Sequence, residues 1–478
     1  MNKILFFIVA LTSLTVISCS KSFTNLQPIS SVSTDALYKT DKDYSDALIG
    51  AYSLLRDQYQ LFFQFDLASD DARHQWPSED ILLRLDNYTY QNNEPFFLSS
   101  WGNYYGVIYR VNTVLDKIAK ADAAVVTNKN KYIAEAKFLR ALSYFDLVRI
   151  FGGVPKVVTA ITDEQALKTP RETVENIYGV IIQDLKDAAG GLPDKNTGAN
   201  LGRATKGAAT ALLGKAYLTK KDFANAETTL AQVTTMGYDL LPNYADLWDY
   251  TKDEHHSEYI FDIEYEANIQ AGSDFTNMFF PRFQDAADFY KVYGGTGDTY
   301  TPSNPLFGIF ESGDKRAPIT ASNGFTNSGG TFVSLNGSVG AKTMNLKYIT
   351  PLTVGNDSKA NWKVIRYGDV VLMLAEALNE NNKTSDAITW LNKIRTRAGV
   401  STYTTLTQAA ARDAIYLERR RELSFEGHRW FDLVRTGLAV STLQPLGMKD
   451  YMVLFPIPLS QIQIVNNPAI LAQNPGWK

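Results

Sequence analysis

The sequence predicts a mainly α-helical protein, built on a tetratricopeptide-type scaffold of paired helices with an irregular, loop-rich face and a few short strands. Two observations support this fold class. Apolar residues recur at spacings of three and four over several stretches, which is the period of an amphipathic helix. Two of these stretches also share one arrangement of small and large residues, which indicates a repeated helical hairpin.

The chain begins with a segment that has the layout of a lipoprotein signal peptide. Lys3 supplies a positive charge, residues 4–17 are mostly apolar, and the only cysteine of the protein, Cys19, follows shortly afterwards. The apolar stretch fits the middle of a signal peptide and is shorter than the roughly 20 residues that span a bilayer. We predict a signal peptide over 1–18, a lipid on Cys19 and a polar tether over 19–34. An ordinary secretory signal with a chance cysteine is the alternative.

Four stretches after the tether carry the helical period. They are 134–148, 207–218 with a second helical pattern from Asp222, the apolar stripe Val364, Tyr367, Val371, Leu374 and Leu378, and the densely charged stretch 410–425. In 134–148 and in the 364–378 stripe the apolar residues lie on one side of a helix, 207–218 is rich in Ala and Leu, and 410–425 is also helical in pattern.

Two of these stretches match the tetratricopeptide pattern at the same internal spacing. The matching positions are Leu213-Gly214, Tyr217, Ala226 and Leu230 in the first, and Leu374-Ala375, Leu378, Ala387 and Leu391 in the second. In such repeats small residues allow paired helices to approach, and large residues fill the seams. One match would be weak, but two favour helical hairpins, which the intervening sequence interrupts.

The intervening residues 265–362 have a different character. Gly, Thr, Ser, Asn and Pro are dense there, which predicts long loops with a few short strands. Loops of this length on a helical scaffold are usually functional or disordered, and the many Phe and Tyr residues argue against simple disorder. We therefore divide the chain into an N-terminal helical region, 35–260, and a C-terminal region, 261–478, that contains this insertion.

Composition and motifs exclude several classes of function. The formal charge is −4 and no basic run occurs, so binding of nucleic acid has no electrostatic basis. With Cys19 lipidated, no thiol remains for disulfides or metal sites. No phosphate loop, nucleophile elbow or zinc motif is present, and we expect no cofactor, no metal and no enzyme activity. The run Asp253-Glu254-His255-His256 is better explained as a solvated turn than as a metal cluster.

The most conspicuous segment is 418–435, where acids and arginines alternate with aromatic residues. Its sequence is Glu418-Arg-Arg-Arg-Glu422-Leu-Ser-Phe425-Glu426-Gly427-His428-Arg429-Trp430-Phe431-Asp432-Leu433-Val434-Arg435. One interpretation makes His428 a catalytic base held by Glu426 or Asp432. The interpretation we favour is a buried or half-buried network of ion pairs with the aromatic residues packed beneath, because planar arginine–carboxylate pairing accounts for every charge.

This segment, extended to Gly437, resembles the signature of the SusD/RagB family of outer-membrane lipoproteins of Bacteroidetes. Further blocks resemble the family in the expected order: 136–155, 203–218, Gly313-Asp314-Lys315-Arg316, 365–377, Leu454-Phe455-Pro456-Ile457-Pro458 and Gln473-Asn474-Pro475-Gly476-Trp477. The resemblance implies a helical fold on tetratricopeptide repeats with the ligand site on the irregular face. It also implies a surface-exposed outer-membrane protein that binds glycan, or in some members peptide, and delivers it to a SusC-like TonB-dependent transporter.

The ligand residues of this family form no fixed motif, so candidates come from loop position and residue type. Aromatic rings can stack on the apolar face of a sugar, whereas polar groups select among its hydroxyls. The candidates are Trp76, Tyr290, Tyr293 and Tyr300 for stacking, and Asp71, Arg73 and Asn103 for hydrogen bonds. Trp101 is expected in the core. An anchored glycoside hydrolase and a protein-binding scaffold are the rival functions.

Overall fold

The structure is a computed structural model that describes residues 37–74, 80–252, 254–281, 283–293, 300–335 and 343–478. Its helices are α1 Asp41–Tyr59, α2 Gln64–Leu67, α3 Ile81–Asp86, α4 Pro95–Ile118, α5 Lys129–Phe151, α6 Asp163–Ala166, α7 Val174–Gly191, α8 Lys206–Thr219, α9 Phe223–Val233, α10 Phe275–Phe279, α11 Gln284–Tyr290, α12 Asn304–Phe307, α13 Ala317–Thr320, α14 Tyr367–Glu380, α15 Thr384–Ala398, α16 Gln408–Leu423, α17 Arg429–Thr436, α18 Ala439–Leu443 and α19 Leu459–Val465. The strands are β1 Ala72–Arg73, β2 Tyr259–Ile263, β3 Thr301–Pro302, β4 Gly324–Thr326, β5 Phe332–Ser334 and β6 Trp362–Arg366.

The long helices form one continuous stack, as the sequence predicted. Helix α1 packs on α4, α4 on α5, α5 on α7, α7 on α8, α8 on α9, and α9 on α14, which also contacts α15 and α16. The four predicted helical stretches lie in α5, in α8 with α9, in α14 and in α16. The stripe that was predicted to begin at Val364 begins later, because Val364 belongs to strand β6 and the helix starts at Tyr367.

The two tetratricopeptide matches are adjacent in space although the insertion separates them in sequence. Helices α9 and α14 pack directly together. Just beyond α14, Asn381 Nδ2 donates to the Phe223 carbonyl at 3.0 Å, and Lys383 Nζ lies 2.6 Å from a carboxylate oxygen of Glu227. The repeats are therefore interrupted along the chain but contiguous in the fold.

Close helix packing in the first repeat depends on Gly214. A Cβ atom on Gly214 would lie 2.5 Å from Leu230 Cδ2, closer than side-chain carbons pack. The matched position in the second repeat is Ala375, which is fully buried. Small residues at these positions thus permit the contact that the pattern predicted.

The insertion contributes short elements rather than a domain-sized sheet. Strands β2 and β6 pair antiparallel, with Tyr259 opposite Arg366 and Ile263 opposite Trp362, and β4 and β5 form a hairpin. Part of the insertion has its own small apolar core, separate from the core of the helical stack. That core contains Phe280, Ala286, Val292, Phe325, Leu335, Met344, Ile349 and Leu352. Among the described residues, no helix is long and apolar enough to cross a bilayer.

Candidate functional site

Two segments that were predicted to bind ligand meet in a short antiparallel ladder. Ala72 of β1 lies opposite Pro302 of β3, and Arg73 lies opposite Thr301. A third segment joins them, because the Thr343 hydroxyl donates to the Pro302 carbonyl at 3.0 Å. The chain around 70–74 and the chain around 300–303 therefore lie side by side, although Ala72 and Pro302 are almost half the sequence length apart.

Arginines of the 418–435 segment hold the base of this ladder. Arg429 makes two hydrogen bonds to the Asp70 carboxylate, at 2.7 and 3.0 Å, and Arg420 Nε donates to Asp71 Oδ1 at 2.6 Å. The Ser303 hydroxyl and amide donate to the carbonyls of Asp70 and Asp71, respectively. Burial opposes ionisation of Asp70, but the hydrogen bonds and charge of Arg429 outweigh it and keep the pKa of Asp70 below its usual value.

The positions of Asp71 and Tyr300 do not fit the predicted contact with ligand. Asp71 is fully buried in its pair with Arg420, and burial raises the pKa of its carboxyl group. Tyr300 is also fully buried, with its ring packed edge-on against Phe63 at 4.3 Å between centroids. Neither side chain reaches the surface, which corrects the prediction that they touch ligand.

Arg73 lies at the surface end of the ladder and is part-buried. Its Nη1 donates to Asp86 Oδ1 at 3.0 Å, and the second oxygen of Asp86 accepts from the amide of His74 at 2.9 Å. Arg73 is thus held by a neighbouring carboxylate while about a quarter of its side chain, 26%, stays exposed. Trp76, the first aromatic candidate, lies outside the described residues.

Tyr293 is the most exposed of the predicted aromatic residues that the structure describes. It is 64% exposed, and its carbonyl accepts a hydrogen bond from Asn277 Nδ2 at 3.1 Å, which fixes the backbone beneath the ring. Tyr290 is half-buried and contacts Phe289 and Phe325 at 4.8 and 5.7 Å between centroids. Its hydroxyl keeps a pKa raised by burial to about 12, so the ring is neutral at physiological pH.

Two further exposed aromatic residues were not among the predicted site residues. Phe289 is 37% exposed and lies 4.9 Å from Phe325, and Phe332 of β5 is 55% exposed. Phe332 contacts Gly324 of the paired strand, where a Cβ would lie 2.6 Å from its ring. The alternation of Phe332, Val333 and Ser334 is the sequence signal that could have identified an outward-facing position.

The remaining candidates are structural. Trp101 is buried in α4, as predicted, and its ring packs on Tyr105 and Phe151. Asn103 uses its amide to donate to Gln58 Oε1 at 3.3 Å. Both contacts lie inside the helical stack, so Asn103 has an internal partner for the group that was expected to bind ligand.

The 418–435 segment forms the buried ion-pair network that we favoured. Arg366 donates to carboxylates of Glu258, Glu422 and Glu426, each at 2.7 Å, and Arg316 lies 2.7 Å from Glu418. All are essentially without solvent contact. The predicted arginine–carboxylate network is confirmed.

The catalytic interpretation of His428 finds no matching geometry. Its Nδ1 lies 3.4 Å from Lys215 Nζ, and neither Glu426 nor Asp432 forms a hydrogen bond with the ring in the part of the chain described. Burial, followed by the charge of Lys215, lowers the pKa of His428 to about 3, so the ring is neutral. A neutral ring with no carboxylate partner lacks the orienting contact that a general base requires.

The two histidines of the run Asp253-Glu254-His255-His256 have separate partners and do not converge on one point. His255 Nε2 lies 3.4 Å from Glu264, whereas His256 Nδ1 accepts from the Glu258 amide at 3.1 Å. Asp253 lies outside the described residues. No set of three or more His, Cys, Asp or Glu side chains is arranged to hold a metal ion within the described ranges.

Two family models match this chain, one in its C-terminal part and one in its N-terminal part. The model of the SusD family matches residues 321–477, and a SusD-like model described as "starch-binding associating with outer membrane" matches residues 31–218. A SusD-like protein of Formosa agariphila is 28% identical, covering 96% of this chain and 97% of that protein.

Solved structures share the fold across nearly the whole chain. A laminarin-binding SusD-like protein is 27% identical with a TM-score of 0.79, covering 92% of this chain and all of that one. Surface glycan-binding protein A of Bacteroides thetaiotaomicron, solved in complex with laminarihexaose, is 22% identical with a TM-score of 0.76, covering 91% of this chain and all of that one. The family matches, the helical stack and the ordered sequence blocks lead to one conclusion: the chain belongs to the SusD/RagB family.

Proposed function

We propose that this protein captures an oligosaccharide or polysaccharide at the cell surface and passes it to a SusC-like TonB-dependent transporter. The observation that carries the proposal is the ring of Tyr293 in the loop-rich insertion, which is 64% exposed and whose backbone carbonyl accepts a hydrogen bond from Asn277. Exposed rings with few polar neighbours bind sugar faces with modest selectivity. The laminarin-binding relative supports a glycan rather than a peptide as the ligand.

The proposal also includes a lipid anchor that places the protein on the outer membrane. The lipid on Cys19 would hold the protein on the outer membrane, since each buried methylene contributes roughly 0.8 kcal/mol. A family model described by outer-membrane association supports this location. The native mass and membrane fractionation of a Cys19→Ser variant test it: we expect the unmodified variant in the soluble fraction.

The ligand-binding step is tested by titration calorimetry of the purified mature protein with laminarihexaose. We expect Tyr293→Ala to weaken binding about tenfold, equivalent to roughly 1.4 kcal/mol. Tyr109→Ala is the matched control, because Tyr109 is 56% exposed but lies on helix α4. An equal loss in both variants would remove Tyr293 from the site, and release of reducing sugar by the wild type would favour a hydrolase.

A further inference from the structure

A cavity of about 360 Å³ lies among helices α5, α7, α8 and α17. None of the predicted ligand residues that the structure describes lines it, and no residue of β1 or β3 does. Its volume falls in the range of small-molecule sites, roughly 300–1,000 Å³. The arginine-rich segment 418–435 supplies part of its lining.

Part of the cavity lining is apolar. It includes Val148, Leu218, Met373, Phe431, Val434 and Leu454. Met373 and Leu218 have exposed fractions of only 0% and 2%, whereas Val434 and Leu454 are part-exposed. Val434 and Leu454 therefore offer a surface for a hydrocarbon or aromatic group, which gains about 25 cal/mol for each Å² of apolar area removed from water.

The same lining is rich in cations. Among the described residues that line the cavity, five side chains are cationic and two are acidic: Arg149, Lys215, Lys220, Arg419 and Arg435, against Glu175 and Asp432. His428 also lines it and is neutral, because burial lowers its pKa to about 3. The lining therefore carries a formal excess of positive charge.

Two of the carboxylates that pair with these cations line the cavity themselves, since Lys220 lies 2.6 Å from Glu175 and Arg435 lies 2.8 Å from Asp432. The other carboxylate partners lie outside the lining. Lys215 Nζ lies 3.0 Å from Asp369, and Arg435 Nη2 donates to Glu376 at 2.8 Å. Neither of these carboxylates lines the cavity. Each pair is thus a dipole with its positive end toward the empty space, and a group placed in the cavity is closer to the cations than to their partners.

A third pair has the same orientation. Arg149 forms an ion pair with Asp146, which faces away from the cavity. The guanidinium is held between the rings of Phe145 and Phe431, each 4.1 Å from its carbon, so its position is fixed. Burial lowers the pKa of Lys215, the charge of Asp369 opposes this shift, and the nearby charges of Arg149 and Arg419 add to it, so that the pKa stays below its usual value.

We propose that this cavity binds a small organic anion, a carboxylate carried on an apolar or aromatic body. The carboxylate accepts hydrogen bonds from lysine and arginine side chains of the lining, in competition with their carboxylate partners, and the body packs on the part-exposed apolar residues. An amphipathic anion therefore suits a lining that is both cationic and apolar.

The charge of the ligand is tested with two probes of the same shape, 4-phenylbutyrate and 4-phenylbutyramide, by titration calorimetry on the intact mature protein. We expect the carboxylate to bind at least about tenfold more tightly than the amide, the ratio that roughly 1.4 kcal/mol of electrostatic preference produces. We also expect the advantage to shrink as salt is raised. Equal affinity for the two probes, or no saturable binding of the carboxylate, would overturn the proposal.

The location is tested with a variant that fills the entrance. Val174 lines the cavity and is 44% exposed, so Val174→Trp should block it with little effect on folding and lower carboxylate affinity at least tenfold. Val158→Trp is the control, because Val158 is 38% exposed but does not line the cavity. Lys220→Gln should weaken the carboxylate and leave the amide unchanged. Unchanged carboxylate affinity in both Val174→Trp and Lys220→Gln contradicts the assignment, whatever the result with laminarihexaose.

Discussion

At Gly214 the lack of a side chain allows helices α8 and α9 to touch. A glycine inside a helix normally destabilises the protein by about 0.5–1 kcal/mol relative to alanine. Replacing an exposed helical glycine by alanine should therefore stabilise the protein. At Gly214 the new methyl group would meet Leu230 at 2.5 Å. The steric cost should therefore exceed the gain in helix propensity.

We expect Gly214→Ala to lower the free energy of unfolding by about 1–3 kcal/mol, the usual cost of overpacking. Gly179→Ala is the matched control, since Gly179 lies within helix α7 with no atom within 4 Å of a new Cβ. That variant should be as stable as the wild type or more stable by about 0.5–1 kcal/mol. Urea unfolding of both variants provides the comparison, and a stabilised Gly214→Ala would show that α8 and α9 are packed less tightly than described.

Residue type alone was a poor guide to the role of single residues in the ligand region. Tyr300 and Tyr293 flank the same glycine-rich stretch, yet one is fully buried and the other is 64% exposed. The difference arises from long-range partners, because Phe63 and Phe279 cover Tyr300. No local pattern in the sequence encodes those contacts, whereas the burial of Trp101 was predicted from the resemblance of its segment to a packed helix of the family.

At the scale of elements, the long helices could be predicted because their apolar period repeats over several turns. Strands β1 and β3 could not be predicted, since each has two residues and the partner lies far away in sequence. What stabilises them is a set of contacts from two helices distant in sequence, Arg420 of α16 to Asp71 and Arg429 of α17 to Asp70. The conspicuous arginines were recognised, but their partners in the ligand region were not.

We expect Arg429→Gln to loosen the β1–β3 ladder because Asp70 would lose two charge-assisted hydrogen bonds. Hydrogen exchange should accelerate at the Ser303 amide, which donates to the Asp71 carbonyl at 2.8 Å. Arg412→Gln is the control, since Arg412 of α16 also makes two hydrogen bonds to one carboxylate, that of Glu380. Equal exchange rates at Ser303 in the two variants would show that Arg429 does not position the ladder.

At the scale of the whole molecule, Glu422 connects the insertion to the helical stack. Its carboxylate pairs with Arg316 beside α13, Arg366 of β6 and Arg397 of α15. Burial alone would raise its pKa, but Arg397 and then Arg366 and Arg316 outweigh burial and hold the pKa well below the usual value. The ionised form is therefore strongly favoured in the folded protein.

We expect Glu422→Gln to lower the free energy of unfolding by about 3–5 kcal/mol near pH 7, because three buried cations lose a common partner. A carboxyl group with a depressed pKa stabilises the fold above its unfolded pKa of about 4.3 and loses that contribution as the pH falls. The gap between variant and wild type should narrow between about pH 5 and pH 3. Urea unfolding across this range measures the difference in free energy of unfolding between variant and wild type. Glu164→Gln is the control, because Glu164 is in an exposed pair with Lys168 and its replacement should change the free energy of unfolding very little.

The contact between α9 and α14 also determines the order in which the polypeptide can fold. Helix α9 ends at Val233, and the helix that covers it begins at Tyr367. During synthesis the face of α9 that packs on α14 therefore remains exposed to solvent until the ribosome has made the entire insertion. Closing so long a loop is slow relative to forming a local hairpin. A nascent chain that stalls within the insertion therefore exposes an apolar helix surface, which can aggregate with other nascent chains.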